Sequence, residues 1–375
     1  MQYLTNKRIL IVSPQPWDHI HISKHHYAIE LAKNNNEVFF LEPPLKRGLP
    51  GRVSVRPSGY DRVTVVSYRP FFPRELRFHL FGLYNQLIRL QAMIIRRGIR
   101  KKLDLVWCFD FNTYPDLRIF GAVRSIFHPV DPLSSNDQVN VANSADLIVS
   151  VSDKILENFN SPKFHGRTLL VGHGVAQPFF RLAEQSSKQH AGSGTQIGYV
   201  GNLDRAVIDW KTIDLLTIRM PDVGFHFWGP WSSENQQVAA LKNHDNVHLH
   251  GAVTKDLLAE RMADMDGFLL LYNYDRRESD LSNSHKLLEY FSTGKVVFSV
   301  PLSEYTDCVP LIKFVRGEPG EQRAEELAGM IAIISDYNVS SVDEKRKKMA
   351  RQSSYQKNLE AIDRSLLAIQ SNRVN

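Results

Sequence analysis

Cysteine is nearly absent from this sequence of 375 residues, in which Cys108 and Cys308 are the only two. Two thiols so far apart provide no disulfide framework, which argues against a small disulfide-bonded secreted protein and favours a reducing compartment. Long apolar runs are also missing, because the longest, around residues 267–272, is too short to cross a membrane. The first residues lack the apolar core of a signal peptide. We therefore expect a cytoplasmic protein.

The charges are unevenly distributed along the chain. The sequence is 43% hydrophobic and 23% charged, with a formal net charge of +6, which is typical of a soluble globular protein. Residues 1–110 carry 18 Lys and Arg against 8 Asp and Glu, a net charge of +10, and the remaining residues sum to −4. This asymmetry predicts an anionic substrate or surface for the first half. The length predicts two domains, each with its own core.

Short apolar runs alternate with helical patterns along the chain, which predicts an α/β fold with doubly wound sheets. In the first half, buried strands are predicted at residues 8–13, 38–41, 103–109, 125–130, 146–150 and 169–171. In the second half, they are predicted at residues 197–200, 224–228, 247–250, 267–272 and 296–300. We expect domains at 1–180 and 196–342, a Gly- and Ser-rich linker at 181–195, and a C-terminal helical segment at 343–375.

The loop after the first strand is rich in residue types that bind ligands. It contains Trp17, Asp18, His19 and His21, and it lacks the glycine-rich fingerprint of a phosphate site. In parallel α/β sheets, ligands bind beyond the carboxyl ends of the strands, which is where this loop lies. We interpret these four residues as contacts for an acceptor substrate. The alternative is a surface loop whose tryptophan folds back on the core.

The stretch 69–102 combines basic, aromatic and apolar residues. It has nine Lys and Arg and one acidic residue, Glu75, and its phenylalanines are interleaved with arginines. Leu and Ile then recur at helical spacing from Leu80 to Ile94. This pattern predicts peripheral contact with an anionic membrane. An ordinary amphipathic helix with a solvated basic face is the alternative. We expect no nucleic acid as a partner, because no nucleic-acid module occurs elsewhere in the chain.

Residues 281–297, LSNSHKLLEYFSTGKVV, predict a capped helix followed by a buried strand. Lys286 falls in the first turn of this helix, where a cation opposes the helix dipole unless an anion is bound there. Glu289 follows three residues later on the same face. A lysine for a diphosphate and a carboxylate for ribose hydroxyls would suit one nucleotide, and we expect both side chains to be exposed. A solvated Lys–Glu pair is the alternative.

This helix resembles the donor-binding helix of the GT-B glycosyltransferases, in which a glutamate reads the ribose. Residues 169–180 (LLVGHGVAQPFF) and 196–216 (QIGYVGNLDRAVIDWKTIDLL) support the resemblance. The VGHGV run, the Ser-x-Lys-Leu-Leu helix and residues 131–134 (DPLS) are most similar to the inverting xanthan-type exopolysaccharide glucuronosyltransferases. The resemblance spans most of the chain in order, but it is strong only in these blocks. It implies two Rossmann-like domains that face each other across a cleft, with the last helix crossing back to the first domain.

The resemblance also implies a nucleotide-sugar site in the second domain. The donor-binding residues that we assign to it are Lys286, Glu289, His285, Tyr272, Gly201, Gly229, Gly172, His173 and Gly174. In the sequence itself, Gly201, Gly229 and Gly251 follow successive predicted strands, where glycine lets a backbone approach a phosphate. Lys286 and the backbone amides of 172–174 would stabilise the leaving diphosphate, so that no metal ion is expected.

Asp131 is the predicted catalytic base. It follows a predicted strand directly, and it matches the first residue of the Asp-x-Leu-Ser segment in the resembled enzymes. A carboxylate there can take the proton of the acceptor hydroxyl as that oxygen attacks the anomeric carbon. A turn aspartate before proline is the alternative, and Asp18 and His19 are the next candidates. Asp264 and Asp266 spell the Asp-x-Asp of metal-dependent sugar transferases, but they precede a strand and are interpreted as structural.

Three positions depart from the family pattern. Many GT-B enzymes have a second glutamate at the position that Leu281 occupies here, and its absence favours inversion over retention. Val296 occupies the position of a proline in the family pattern. Ala252 stands where the xanthan-type donor site has an acidic residue, which argues against glucuronate as the donor sugar.

We therefore expect an inverting, metal-independent glycosyltransferase without a cofactor. It would move a sugar from a UDP-sugar to a saccharide or lipid-linked saccharide at the inner face of the plasma membrane, in bacterial polysaccharide synthesis. A nucleotide-sugar 2-epimerase is one alternative, and it would not need the basic aromatic stretch. A non-catalytic sugar- or nucleotide-binding module is the other.

Overall fold

The structure is a computed structural model of the chain. It describes residues 3–18, 21–48, 51–130, 137–185, 194–273, 285–302, 305 and 308–371. The chain divides into two compact units, Met1–Gly172 with Tyr355–Asn375, and His173–Ser354.

Over the described residues, the first unit contains an eight-stranded sheet. Its strands are β1 (Arg8–Val12), β2 (Glu37–Leu41), β3 (Val53–Pro57), β4 (Val63–Tyr68), β5 (Leu105–Cys108), β6 (Arg124–Phe127), β7 (Leu147–Ser150) and β8 (Thr168–Leu170). Their order is β3-β4-β2-β1-β5-β6-β7-β8, and β3 pairs antiparallel with β4 while the other neighbours are parallel.

The second unit contains a six-stranded sheet over its described residues, and all of its strand pairs are parallel. Its strands are β9 (Gln196–Val200), β10 (Gly224–Trp228), β11 (Val247–Gly251), β12 (Gly267–Leu270), β13 (Val296–Ser299) and β14 (Ile312–Phe314). They lie in the order β11-β10-β9-β12-β13-β14. The predicted α/β class with two Rossmann-like sheets is confirmed.

Helices connect most of the parallel strands. In chain order they are α1 (Ser23–Lys33), α2 (Leu76–His79), α3 (Phe81–Ile99), α4 (Asp137–Ser144), α5 (Asp153–Leu156), α6 (Gln177–Glu184), α7 (Trp210–Arg219), α8 (Gln236–Leu241), α9 (Lys255–Met262), α10 (His285–Phe291), α11 (Glu321–Ala332), α12 (Ser340–Gln352) and α13 (Tyr355–Ser371). Within the described part of the chain, none of them has the length and apolar character needed to span a membrane.

Both faces of the first sheet are buried, as expected of a parallel sheet with helices on either side. Successive side chains of β1 point to opposite faces, so Ile9 and Ile11 enter one apolar layer while Leu10 and Val12 enter the other. Residues of α1 and α13 belong to the first layer, and residues of α3 and α4 belong to the second.

Three strands were not anticipated by the apolar pattern. β3 is an antiparallel edge strand whose side chains are half-buried or exposed, so it lacks an apolar run. β14 has only three residues, too few for a periodic signal. β4 is a buried six-residue strand, VTVVSY, and its apolar run was overlooked beside the basic segment that follows.

The unit boundaries differ from the domain limits read from sequence. The division after Gly172 comes before residue 180, because α6 packs on α9 and α12 of the second unit. Helix α6 also continues to Glu184, so the start of the predicted linker is helical. The C-terminal segment consists of two helices rather than one piece. α12 belongs to the second unit, whereas α13 belongs to the first, where Asp363 accepts hydrogen bonds from the backbone amides of Tyr3 and Leu4.

Each sheet has a point at which its strand order reverses. In the first unit, the chain runs outward from β1 through β2 to β4 and then returns to place β5 on the other side of β1. In the second unit, it runs from β9 through β10 to β11 and returns to place β12 beside β9. Open α/β sheets bind ligands beyond the carboxyl ends of the strands at such points.

Candidate functional site

Lys286 lies at the reversal point of the second sheet. Its Nζ donates to the hydroxyl of Tyr199, near the end of β9, at 3.3 Å, and to the hydroxyl of Tyr272, just after β12, at 3.4 Å. The ammonium also lies 5.0 Å from the ring centroid of Tyr199 and 5.8 Å from that of Tyr272. The two tyrosines therefore hold one cation between the ends of the two central strands.

Gly201 makes room for this cation. A Cβ on Gly201 would collide with Nζ of Lys286, and the residue has a φ of +155°, which side-chain-bearing residues rarely adopt. Gly229 closes the next strand end with a φ of +147°, and a Cβ there would overlap the Gly201 carbonyl. In this structure the two glycines serve the packing of Lys286 and of two neighbouring loops.

The phenols around Lys286 favour its charged form. Burial acts to lower the pKa of the Lys286 ammonium, but the neighbouring hydroxyls of Tyr199, Tyr272 and Tyr290 outweigh it and raise that pKa above its ordinary value. Burial also raises the pKa of the Tyr199 and Tyr290 phenols above its ordinary value. Among the residues that the structure describes, no carboxylate pairs with Lys286. The site therefore holds a largely enclosed positive charge.

Glu289 lies one turn further along α10 and is only 6% exposed. Its Oε1 accepts a hydrogen bond of 2.6 Å from Nζ of Lys255, the first residue of α9. The expectation that both side chains are exposed is wrong for Glu289, which an ion pair with α9 encloses, whereas Lys286 is half-buried between the phenols. Sequence reasoning missed Lys255, which no local pattern connects to Glu289.

The loops around Gly201 and Gly229 are tied together by one carboxylate. Asp204 accepts hydrogen bonds from the backbone amide of Ser232, at 2.9 Å, and from Nδ2 of Asn235, at 3.0 Å. The bond from the Ser232 amide lowers the pKa of the Asp204 carboxyl, so the clamp stays ionised at neutral pH. The carboxylate thus fixes the loop after β9 to the loop after β10.

A buried ion pair contacts the backbone of Tyr272. Arg323 of α11 donates from Nη1 to Oδ2 of Asp209 at 2.5 Å, and the same nitrogen lies 3.4 Å from the carbonyl oxygen of Tyr272. Asp209 also caps α7 by accepting from the backbone amide and the hydroxyl of Thr212. This group fixes the backbone on which the Tyr272 ring stands.

Several of the remaining predicted donor and catalytic residues lie outside the part of the chain that the structure describes. Asp131, His19 and the side chain of His285 lie outside the described residues. Gly172 ends the first unit, and its carbonyl accepts from Nδ2 of Asn358 at 2.6 Å, while His173 and Gly174 begin the second unit. No group of three or more His, Cys, Asp or Glu side chains could hold a metal ion within the described ranges.

In the first unit, the Trp17 side chain folds back on the core. It is 2% exposed, and its backbone amide donates to Glu42 while its indole Nε1 donates to the Ser58 carbonyl. The alternative interpretation of this loop is therefore the one that the structure shows for Trp17. Asp18 stays at the surface, 74% exposed, in an ion pair with Arg56.

The histidines of this loop form a stack with the tryptophan. The rings of His21 and His25 are nearly parallel with centroids 4.9 Å apart, and Trp17 contacts both. Burial lowers the pKa of His21 and lowers that of His25 to about 4, so both imidazoles are neutral at physiological pH. Neutral His21 can still donate or accept a hydrogen bond at the reversal point of the first sheet.

Sequence reasoning missed a second enclosed lysine, Lys24, in the first turn of α1. It is 1% exposed, its Nζ bonds to the Gln15 side chain, and it lies 5.9 Å from the Phe109 ring centroid. The signal was the one that singled out Lys286, a lysine placed against the helix dipole. Each unit thus carries a lysine ammonium at its reversal point, buried for Lys24 and half-buried for Lys286.

A cavity of about 680 Å³ opens among the loops that follow β2, β4 and β5. Its walls are both basic and aromatic. They include Lys46, Arg69, Phe71, Phe72, Arg74, Arg77, Phe78 and Tyr84. The exposed apolar side chains nearby are Phe71, Phe78, Leu80, Phe81, Leu83, Leu90 and Met93. Most of the cavity lining therefore comes from the predicted membrane-contact stretch 69–102, and the rest comes from residues 44–46 and Asn112.

Comparison with known proteins places these observations in a fold family. Solved structures that match nearly the whole chain include α,α-trehalose 6-phosphate synthase from Burkholderia multivorans, with 12% identity over 98% of this chain and 98% of that one and a TM-score of 0.61. Sucrose-phosphate synthase from Thermosynechococcus elongatus matches with 11% identity over 96% of this chain and 99% of that one and a TM-score of 0.64. Anabaena HepE in complex with UDP and glucose matches with 15% identity over 95% of this chain and 99% of that one and a TM-score of 0.59. The fold is that of the GT-B glycosyltransferases.

The GT-B fold extends over both units, since the matches cover at least 95% of this chain. Sequence comparison finds no matching protein-family model and no matching curated protein. The similarity is therefore one of architecture. The chemistry of this chain has to be argued from its own residues.

Proposed function

We propose that this protein is a glycosyltransferase that takes its sugar from a UDP-sugar and needs no metal ion. The observation that carries the proposal is the Lys286 ammonium, enclosed by Tyr199 and Tyr272 at the reversal point of the second sheet. A desolvated cation without a described carboxylate partner is a binding site for an anion. A nucleoside diphosphate supplies that anion, and HepE of the same fold has been solved with UDP bound.

In the proposed reaction, the acceptor hydroxyl oxygen attacks the anomeric carbon from the face opposite the diphosphate. The bond between that carbon and the diphosphate oxygen breaks, and the diphosphate leaves with the electron pair. Lys286 stabilises the charge that develops on it, which is commonly the largest single contribution to catalysis. We propose Asp131 as the base that takes the hydroxyl proton, and inversion at the anomeric carbon follows.

The acceptor in this proposal is a saccharide, or a saccharide carried on a lipid, in bacterial polysaccharide synthesis. The basic cavity and the exposed apolar side chains of α2 and α3 support contact with an anionic membrane. On α3, Leu83, Leu90 and Met93 are exposed alongside Arg89 and Arg97. Apolar groups can enter the interface while arginines meet lipid phosphates.

Calorimetric titration with UDP tests the donor site. Lys286→Met removes the cation but keeps a long apolar side chain, so UDP affinity should fall about ten- to hundredfold, the usual worth of a hydrogen bond to a charged group. Lys313→Met is the matched control, because Lys313 also lies over a tyrosine ring, 4.3 Å from the Tyr337 centroid, but on β14.

The control should bind UDP as the unchanged protein does. Equal UDP affinity in all three proteins would refute the proposed donor site. The activity itself is tested by a transfer assay. Transfer of labelled sugar from a UDP-sugar to a saccharide acceptor by the unchanged protein, and its loss in Lys286→Met, would establish the activity.

A further inference from the structure

Glu289 and Lys255 form an ion pair between two helices that pack on different neighbours. α9 packs mainly on α6, whereas α10 packs on α12 and β13. Nevertheless, Nζ of Lys255 reaches Oε1 of Glu289 at 2.6 Å, with the lysine side chain 24% exposed and the glutamate side chain 7% exposed. The contact is therefore a directed side-chain interaction rather than a by-product of close helix packing.

The lysine is itself held in place. It begins α9 directly after the N-cap residue Thr254, whose hydroxyl accepts from the Leu257 amide. Its ammonium lies 5.1 Å from the ring centroid of Phe179, a fully buried residue of α6. A cap and an aromatic ring thus restrict the positions that the Lys255 ammonium can take.

The carboxylate keeps one oxygen for another partner. Oε1 of Glu289 is engaged by Lys255, whereas no described residue donates to Oε2. Oε2 is also absent from the fully enclosed oxygens that lack a hydrogen bond among the described residues, so it keeps some contact with solvent although the side chain is only 7% exposed. An ionised carboxylate with one free oxygen is suited to accept from sugar hydroxyls.

We propose that Lys255 is a positioning residue that holds the Glu289 carboxylate aimed at the ribose hydroxyls of the donor nucleotide. This inference rests on the proposed function and adds to it the source of ribose recognition. Without a cation beside it, a buried carboxylate would turn away, because its charge would be desolvated without compensation. Lys255 keeps the carboxylate in place through Oε1 and leaves Oε2 for the ribose.

The test uses UDP and 2′,3′-dideoxy-UDP, which lacks the hydroxyls that Glu289 would bind. The unchanged protein should prefer UDP by about tenfold or more, since a site that hydrogen-bonds a hydroxyl discriminates against its absence. Lys255→Met should weaken UDP binding about tenfold and leave 2′,3′-dideoxy-UDP binding unchanged, so that the preference disappears. Lys255→Arg should restore it.

Two variants separate positioning from other roles. Arg261→Met removes an exposed cation from the same helix and should leave both affinities unchanged. Glu289→Gln should also lose the preference, and adding Lys255→Met to it should have no further effect, because the two residues act as one unit.

The outcomes distinguish this inference from the donor site itself. If the unchanged protein binds no UDP, the proposed function fails and the role of Lys255 fails with it. If UDP binds and Lys255→Met retains the preference, Lys255 does not position Glu289. If Lys255→Met weakens both ligands equally, the pair only supports the fold, and the inference is overturned while the donor site stands.

Discussion

Replacement of Arg323 by methionine should destabilise the second unit strongly. The Arg323 and Asp209 side chains are 3% and 1% exposed, and their atoms approach to 2.5 Å. Nε of Arg323 also donates to the Gly317 carbonyl at 2.9 Å. Arg323→Met keeps the aliphatic stem but leaves the Asp209 carboxylate and the Gly317 carbonyl without this donor.

The expected loss follows from burial. Removal of one partner from a buried ion pair costs about 3–5 kcal/mol, because the remaining charge is desolvated and uncompensated. For a unit of this size, each kcal/mol corresponds to about 2–4 °C in Tm, so Arg323→Met should lower Tm by about 6–20 °C. Thr212 continues to donate to Asp209, which places the result toward the lower end of that range.

Differential scanning calorimetry measures this effect, and the same two helices supply the control. Arg219 of α7 pairs with Glu321 of α11 at 2.6 Å, but the two side chains are 40% and 68% exposed. Arg219→Met should therefore cost about 1 kcal/mol or less. Arg323→Met and Arg219→Met thus remove the same group, from the same pair of helices, at opposite extremes of burial.

Equal Tm shifts in the two variants would refute the argument, because burial would then not determine the worth of the pair. A rise in Tm for Arg323→Met would refute it differently. It would show that the desolvation of the guanidinium costs more than its three contacts return.

Four further predictions address the sites. Gly201→Ala should displace Lys286 and weaken UDP binding about tenfold by calorimetry, with unchanged affinity counting against the packing argument. Asp131→Asn should slow transfer by about a hundredfold or more with donor affinity intact, and normal turnover would move the base elsewhere. Because the folded-state pKa of His25 is about 4, below its ordinary value of 6.5, only the unfolded chain binds that proton between these pH values. Urea titrations should show stability falling by roughly 3 kcal/mol as pH drops through that window, and His25→Phe should flatten the curve. Phe78→Ser should reduce sedimentation with anionic vesicles at low salt, whereas equal sedimentation with neutral vesicles would contradict membrane docking through this surface.

The alternation of strands and helices could be predicted from the sequence because buried parallel strands are continuous apolar runs. The runs RILIV and GFLL are of this kind, and both are strands. Lys286 could be singled out as a candidate anion-binding residue for a local reason as well, since a lysine in the first turn of a helix opposes the helix dipole. These inferences depend on properties of neighbouring residues along the chain.

Strands with weaker local sequence signals could not be predicted. β3 gains its place from backbone pairing with β4 rather than from its own side chains, which are half-buried or exposed. The limit after Gly172 likewise depends on which helices α6 contacts. A local sequence pattern cannot predict a contact with an element that lies far away along the chain.

The sequence by itself predicted a nucleotide-diphosphate site at Lys286 and Glu289, and the tertiary structure alone decided the environment of these two residues. Strand order brings Tyr199 to Lys286 across 87 positions, and helix packing brings Lys255 to Glu289 across 34. Packing then decides the phenol surroundings of Lys286, the enclosure of Glu289 and the inward position of Trp17. Desolvation depends on every neighbour in space, so no reading of the chain in order could supply it.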